Sequence, residues 1–111
     1  MSAPPLHQST IEEVRSKADL FEVVSERVVL RRAGKDYKGL CPFHEDRNPS
    51  FYVSPLKQLY KCFSCGVSGD VFKFLMELDK LTFTDATVEL ARRFGVTVRM
   101  ARPEQGAEYT R

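Results

Sequence analysis

Two short cysteine-containing pairs limit what this chain can fold into more than any other feature. They are Cys41-Pro42-Phe43-His44 and Cys62-Phe63-Ser64-Cys65. The first has C-x-x-H spacing and the second C-x-x-C spacing, with a 17-residue insert, Glu45 to Lys61, between them. All 3 cysteines of the chain and one of its 2 histidines are used. Tetrahedral zinc takes four nitrogen or sulfur ligands, and three thiolates with one imidazole complete that shell. A complete shell has no place for a reacting water, so the spacing predicts a structural metal rather than a catalytic one. A disulfide framework would leave one of the 3 cysteines over. A redox C-x-x-C pair would leave the nearby C-x-x-H pair unexplained.

A chain of 111 residues suits one domain with a modest core, so ligation should contribute directly to folding. No apolar run approaches the ~20 residues of a membrane span. Met1 to Thr10 is short and polar, without the apolar stretch of a secretory signal. The expectation is a cytoplasmic protein with reduced thiols. The net charge is only +2, but Arg27 to Lys61 holds eight basic residues against three acidic ones. Cations gathered around a metal site fit either a footprint for phosphates or an ordinary solvated face.

The coarse organisation follows from local patterns. Met1 to Gln8 reads as a disordered lead, with His7 inert in it. Ser9 or Thr10 can cap a helix with Glu12 and Glu13 completing a capping box, and Asp19 can cap a second. Val28 to Leu40 reads as a β-hairpin turning at Gly34. Phe51 to Val53 and Leu59 to Lys61 read as strands joined by the turn Ser54 to Gln58. Each cysteine pair then follows a strand, which is the arrangement of a zinc ribbon. Helices are expected after Ser68-Gly69-Asp70 and from Thr82 or Thr84, the latter stopping at Gly95. Val96 to Val98 suggests a short further strand. Residues 9–100 thus form the domain, and 101–111, with Pro103 and Gly106, read as a tail or the start of a linker. The fold class is α+β, a small antiparallel sheet of four to five strands flanked by helices.

The insert mixes rings with cations. Alternation on a strand places Tyr60 opposite to Lys61, and Phe51 opposite to Tyr52. Phe51, Phe63, Phe72 and Phe74 read as core, whereas Tyr37, Tyr52 and Tyr60 are open between core and surface. Rings beside cations suit single-stranded nucleic acid, whose bases expose their faces. Glu45 and Asp46 suit capping or orientation of His44. No P-loop, triad or carboxylate cluster for Mg²⁺ is visible, so catalysis by this chain is not expected.

Cys41-Pro42-Phe43-His44-Glu45-Asp46-Arg47-Asn48-Pro49-Ser50-Phe51, Tyr60-Lys61-Cys62-Phe63-Ser64-Cys65-Gly66 and Gly69-Asp70-Val71-Phe72-Lys73-Phe74-Leu75 together closely resemble the N-terminal zinc-binding domain of bacterial DnaG-type primases. The hairpin from Arg31 to Leu40 and Leu90-Ala91-Arg92-Arg93-Phe94-Gly95 extend the likeness from about Ile11 to Val98. The resemblance implies one structural Zn²⁺ on Cys41, His44, Cys62 and Cys65. It implies binding of a single-stranded DNA template and choice of the start site for an RNA primer. By motif position it points to Arg47, Lys57, Tyr60 and Lys61 as DNA contacts, with Arg32, Lys35 and Tyr37 as further candidates.

The family's nucleotidyl transfer belongs to a separate RNA polymerase domain that binds Mg²⁺, acting in cis or from a neighbouring molecule. A further domain contacts the replicative helicase. The expected setting is the bacterial replication fork, as a monomer and without a membrane. Two departures from the family pattern stand out: Glu45-Asp46-Arg47 replaces an acidic-Glu-Lys run, and Ser64 stands where glycine is frequent. Arginine changes the reach and fork of the cation. The alternatives are a ribbon that docks on protein, a stand-alone single-strand binder, and a redox thiol protein.

Overall fold

A computed structural model of the chain describes residues 6–45 and 47–100. Residues 1–5 of the expected lead, 1–8, and all of the expected tail, 101–111, lie outside them. The elements are helices α1 (Gln8–Lys17) and α2 (Leu20–Ser25), then strands β1 (Arg31–Ala33), β2 (Asp36–Gly39), β3 (Phe51–Ser54), β4 (Leu59–Cys62) and β5 (Ser68–Gly69), then helices α3 (Val71–Leu78) and α4 (Phe83–Phe94). They fall into two units, one made of the two chain ends and the other of residues 19–80.

In the unit of the chain ends, α1 packs against α4. The first turn of α1 is not capped as the sequence suggested. His7 is the cap, its Nδ1 accepting from the backbone N–H of Ser9 at 3.1 Å. Thr10 is buried instead, and its hydroxyl oxygen accepts from the Arg99 N–H at 2.9 Å. The reading of His7 as inert is thereby corrected, because an imidazole nitrogen satisfies an orphan helix donor as a hydroxyl would. Residues 96–98 form no strand; an isolated antiparallel bridge joins Leu6 to Met100 instead. Thr82 caps α4 by accepting from the Asp85 N–H at 3.1 Å. Gly95 ends that helix at φ 73°, where a Cβ would be unfavourable.

In the other unit the five strands neighbour one another in chain order, each pair antiparallel. The expected hairpin starts later than its apolar run. Val28 to Leu30 stay outside the sheet, with Val28 buried and Val29 81% exposed. Strands β3 and β4 alternate as the period-two rule requires: Phe51, Val53, Tyr60 and Cys62 are buried, while Tyr52, Ser54, Leu59 and Lys61 point the other way. The inner face carries Phe51 and Tyr60 against Phe43 and against Phe74 of α3. Asp19 caps α2 and Asp70 caps α3, each through a carboxylate oxygen. Gln58, at φ 57°, accepts from the Leu20 N–H at 2.7 Å and donates to Asp19 at 3.2 Å and to the Pro55 carbonyl at 2.9 Å.

Gly39 marks a close approach. A Cβ there would lie 2.5 Å from the Val29 carbonyl oxygen and 2.8 Å from Val28. Gly39→Ala is therefore expected to cost roughly 1–3 kcal/mol, the range of overpacked sites. Urea melts of the metal-loaded chain check this, and a variant with the parent's midpoint would contradict it.

Candidate metal centre and nucleic-acid interface

Strands β2 and β4 deliver the two cysteine pairs. Gly39 ends β2 just before Leu40 and Cys41, and Cys62 is the last residue of β4. The ligand atoms of Cys41, His44, Cys62 and Cys65 all lie within 4.8 Å of one another. The sulfurs of Cys41 and Cys65 are 3.9 Å apart. Two thiolates on one tetrahedral zinc, at ~2.3 Å each, would be separated by about 3.8 Å. The Phe43 N–H points at Cys41 Sγ and the Cys65 N–H at Cys62 Sγ, each at 3.5 Å. Such donors stabilise thiolate charge. Nδ1 of His44 is buried and, among the described residues, takes part in no hydrogen bond, as suits a ring nitrogen facing a metal. The donor set and its geometry fit zinc.

Burial pushes the Cys41 thiol up to about 12, against the opposing pull of the Phe43 N–H. Burial also acts on Cys62, but there the N–H groups of Cys65 and Ser64 prevail and hold the thiol below its ordinary value. Ser64 therefore keeps the backbone donor that a glycine would supply. The expected role of Glu45 and Asp46 around His44 rests in part on Asp46, which lies outside the described residues.

Register sorts the remaining candidates onto two faces. Arg31, Lys38, Tyr52, Lys61 and Ser68 pair in succession across all five strands. This row belongs to the face away from the aromatic core. Arg32, Tyr37, Val53, Tyr60 and Gly69 form the adjacent row on the opposite face. Tyr60 is 2% exposed, so its expected role as a DNA contact is corrected: its ring is core. Tyr37 packs on Phe21 of α2 with the rings tilted at 47° and centroids 4.5 Å apart, and the Arg32 guanidinium lies 6.0 Å from the Tyr37 ring. Arg32 and Tyr37 therefore stand apart from Tyr52 and Lys61. Lys35 is exposed in the β1–β2 turn, Lys57 in the β3–β4 turn, and Arg47 in the loop after His44.

A pocket of about 590 Å³ opens on the outer face, lined by Tyr52, Lys57, Leu59, Lys61, Phe63 and Asp36 among others. Phe63, expected in the core, is 67% exposed. It meets Tyr52 edge-on at 5.3 Å, and Lys61 Nζ lies 5.2 Å from its ring centroid. Burial of the preceding Cys62 explains this, since adjacent residues leaving a strand turn to opposite sides. Sequence reading also missed Arg31 and Lys38. Only pairing of β1 with β2, and β2 with β3, aligns these cations with Tyr52.

Comparison with known proteins agrees with this geometry. The family model of the CHC2 zinc finger matches residues 6–106. The chain belongs to that family. This CHC2 zinc finger is 51% identical over 111 residues to the DNA primase of Synechococcus elongatus, covering all of the chain and 16% of the relative. It is 48% identical over 102 residues to the DNA primase of Thermotoga maritima, covering 92% of the chain and 18% of the relative. The crystal structure of the Aquifex aeolicus primase, comprising zinc-binding and RNA polymerase domains, superposes with a TM-score of 0.74 at 39% identity. That match covers 97% of this chain and 24% of the other. The CHC2 zinc finger thus spans about a sixth of the length of these curated relatives. The zinc-ribbon fold expected from sequence is the fold observed. No described helix is long and apolar enough to cross a membrane.

Proposed function

We propose that this chain is the template-binding module of a DNA primase, holding single-stranded DNA on the outer face of its sheet during choice of a primer start site. One structural Zn²⁺ on Cys41, His44, Cys62 and Cys65 fixes the ends of β2 and β4. The metal completes the fold, and the side chains of the sheet do the binding. The observation that carries the reading is the outer row, in which Lys38 and Lys61 flank Tyr52. Cations on either side of a ring can hold phosphates while a base stacks between them. Polymerisation falls to an RNA polymerase domain with its own Mg²⁺, in cis or in trans, and the replicative helicase is contacted elsewhere in the primase. The working location is the replication fork.

Anisotropy titrations of the zinc-loaded chain test this, using a labelled strand of roughly 12 nucleotides, within the ~4–16 typical of such sites. Single strands should bind better than duplex, and binding should weaken with salt. Lys61→Ala should flatten the salt dependence by roughly 0.7 in log–log slope, one phosphate contact on a single strand. Tyr52→Ala should lose about 1–3 kcal/mol, one stacked base. Equal, salt-insensitive affinity for duplex and single strands would overturn the reading. Unchanged binding in both folded variants would shift it to a ribbon that docks on protein.

A further inference from the structure

Among the described residues, Asp36 is the one acidic residue lining the outer-face pocket. Its neighbours on this face include Lys38, Lys57 and Lys61, yet none of them forms an ion pair with it among the described residues. Continuing the β2–β3 register by one residue from Tyr37↔Val53 sets Asp36 beside Ser54, which in turn pairs with Leu59. The pocket therefore has two unlike ends. One is Tyr52 with Phe63 and Lys61, made of rings and a cation. The other is the half-buried Asp36 with Ser54. Leu59, 48% exposed, gives the floor an apolar surface between strands. The volume of about 590 Å³ is ample for a nucleotide.

A carboxylate in a phosphate-binding face weakens attraction for the backbone. What it adds is selective hydrogen bonding to a base edge. An ionised carboxylate only accepts. Cytosine presents an N4 amino group and adenine an N6 amino group, and acidic side chains pair with the cytosine amino group in known readout. Thymine has the O4 carbonyl oxygen in place of that amino group, and it faces an acceptor unfavourably.

We infer that Asp36 reads one template base in this pocket, accepting from an exocyclic amino group and so favouring cytosine over thymine. The inference rests on the template-binding reading above and deepens it. Tyr52 supplies the stacking surface, Lys57 and Lys61 hold the flanking phosphates, and Asp36 supplies the discrimination.

The test compares oligo(dC) with oligo(dT) of equal length on the zinc-loaded chain, by anisotropy at fixed salt. Both are pyrimidine strands with the same backbone charge. The unmodified chain should prefer oligo(dC) by roughly tenfold or more, the worth of about one hydrogen bond to a charged group. Asp36→Asn keeps the size but turns half of the acceptor into a donor. It should bring the ratio close to one while total affinity is kept or increased. Asp36→Glu should keep a preference for oligo(dC), and zinc content checks that each variant is folded. A ratio of one on the unmodified chain would overturn the inference. So would Asp36→Asn tightening both strands equally with the ratio kept, since that is a pure charge effect. Binding to neither strand would instead remove the template-binding reading, and this inference with it.

Discussion

Removing zinc is expected to unfold the sheet-bearing unit. Apparent ligation energies of structural zinc are roughly 10–16 kcal/mol, against about 5–15 kcal/mol for the stability of a whole domain. The two ligand pairs sit at the ends of β2 and β4, with β3 between these strands. Losing the metal releases both strand ends together. Chelation, or Cys62→Ser, should collapse the amide dispersion of residues 19–80 in a heteronuclear spectrum. A metal-free chain with native dispersion would refute a structural role. The same site fixes the sign of the pH dependence. In a metal-free, unfolded chain the Cys41 thiol is solvated like any cysteine and is mostly protonated at neutral pH. Zinc must displace that proton, so affinity falls as pH falls. Calorimetry in two buffers of different ionisation heat should find at least about one proton released per zinc near neutral pH. No proton release would contradict the assignment.

The second large effect is at Tyr60. Its ring lies 5.3 Å from Phe51, 5.7 Å from Phe74 and 5.9 Å from Phe43. Tyr60→Ala should cost about 3–5 kcal/mol, as loss of a buried aromatic ring does. Tyr60→Phe should behave differently. The hydroxyl is buried with no hydrogen bond among the described residues, and burial also drives its ionisation well above the ordinary range. Removing an unsatisfied buried hydroxyl should be neutral or stabilising by up to about 1 kcal/mol. Binding to single strands should be unchanged, because the ring belongs to the inner face. Urea melts and anisotropy on the zinc-loaded variants read both quantities. A folded Tyr60→Phe that loses DNA affinity would place Tyr60 in the interface after all.

The contrast between these two sites shows what the sequence could reveal. Ligand spacing is local, so Cys41, His44, Cys62 and Cys65 could be named from the chain alone. Alternation is also local, and it placed Tyr60 opposite to Lys61. It could not say which face meets solvent, because that depends on Phe43 and Phe74 closing over one side. Phe63 was misjudged as core for this reason, while Tyr60, which alternation left open, was assigned to the interface by resemblance alone. Arg32 and Tyr37 were grouped with Lys61 by motif position, but register puts them on the other face. Propensity alone extended the hairpin to Val28. Gly39 packs against the Val28–Val29 segment, which leaves Val28 buried outside the ladder.

Gln58 has a consequence for the energetics of recognition. The β3–β4 turn carries Lys57, and a surface turn ordinarily loses conformational freedom when a ligand is bound. Here the amide of Gln58 ties that turn to the start of α2 through Leu20 and Asp19. The Ser54 hydroxyl accepts from the Lys57 N–H at 3.1 Å, holding the backbone from within. The turn is thus ordered before any strand arrives. On the template-binding proposal, binding then has only the lysine side chain left to immobilise, at about 0.5–1.5 kcal/mol for a side chain rich in rotamers, rather than a whole loop.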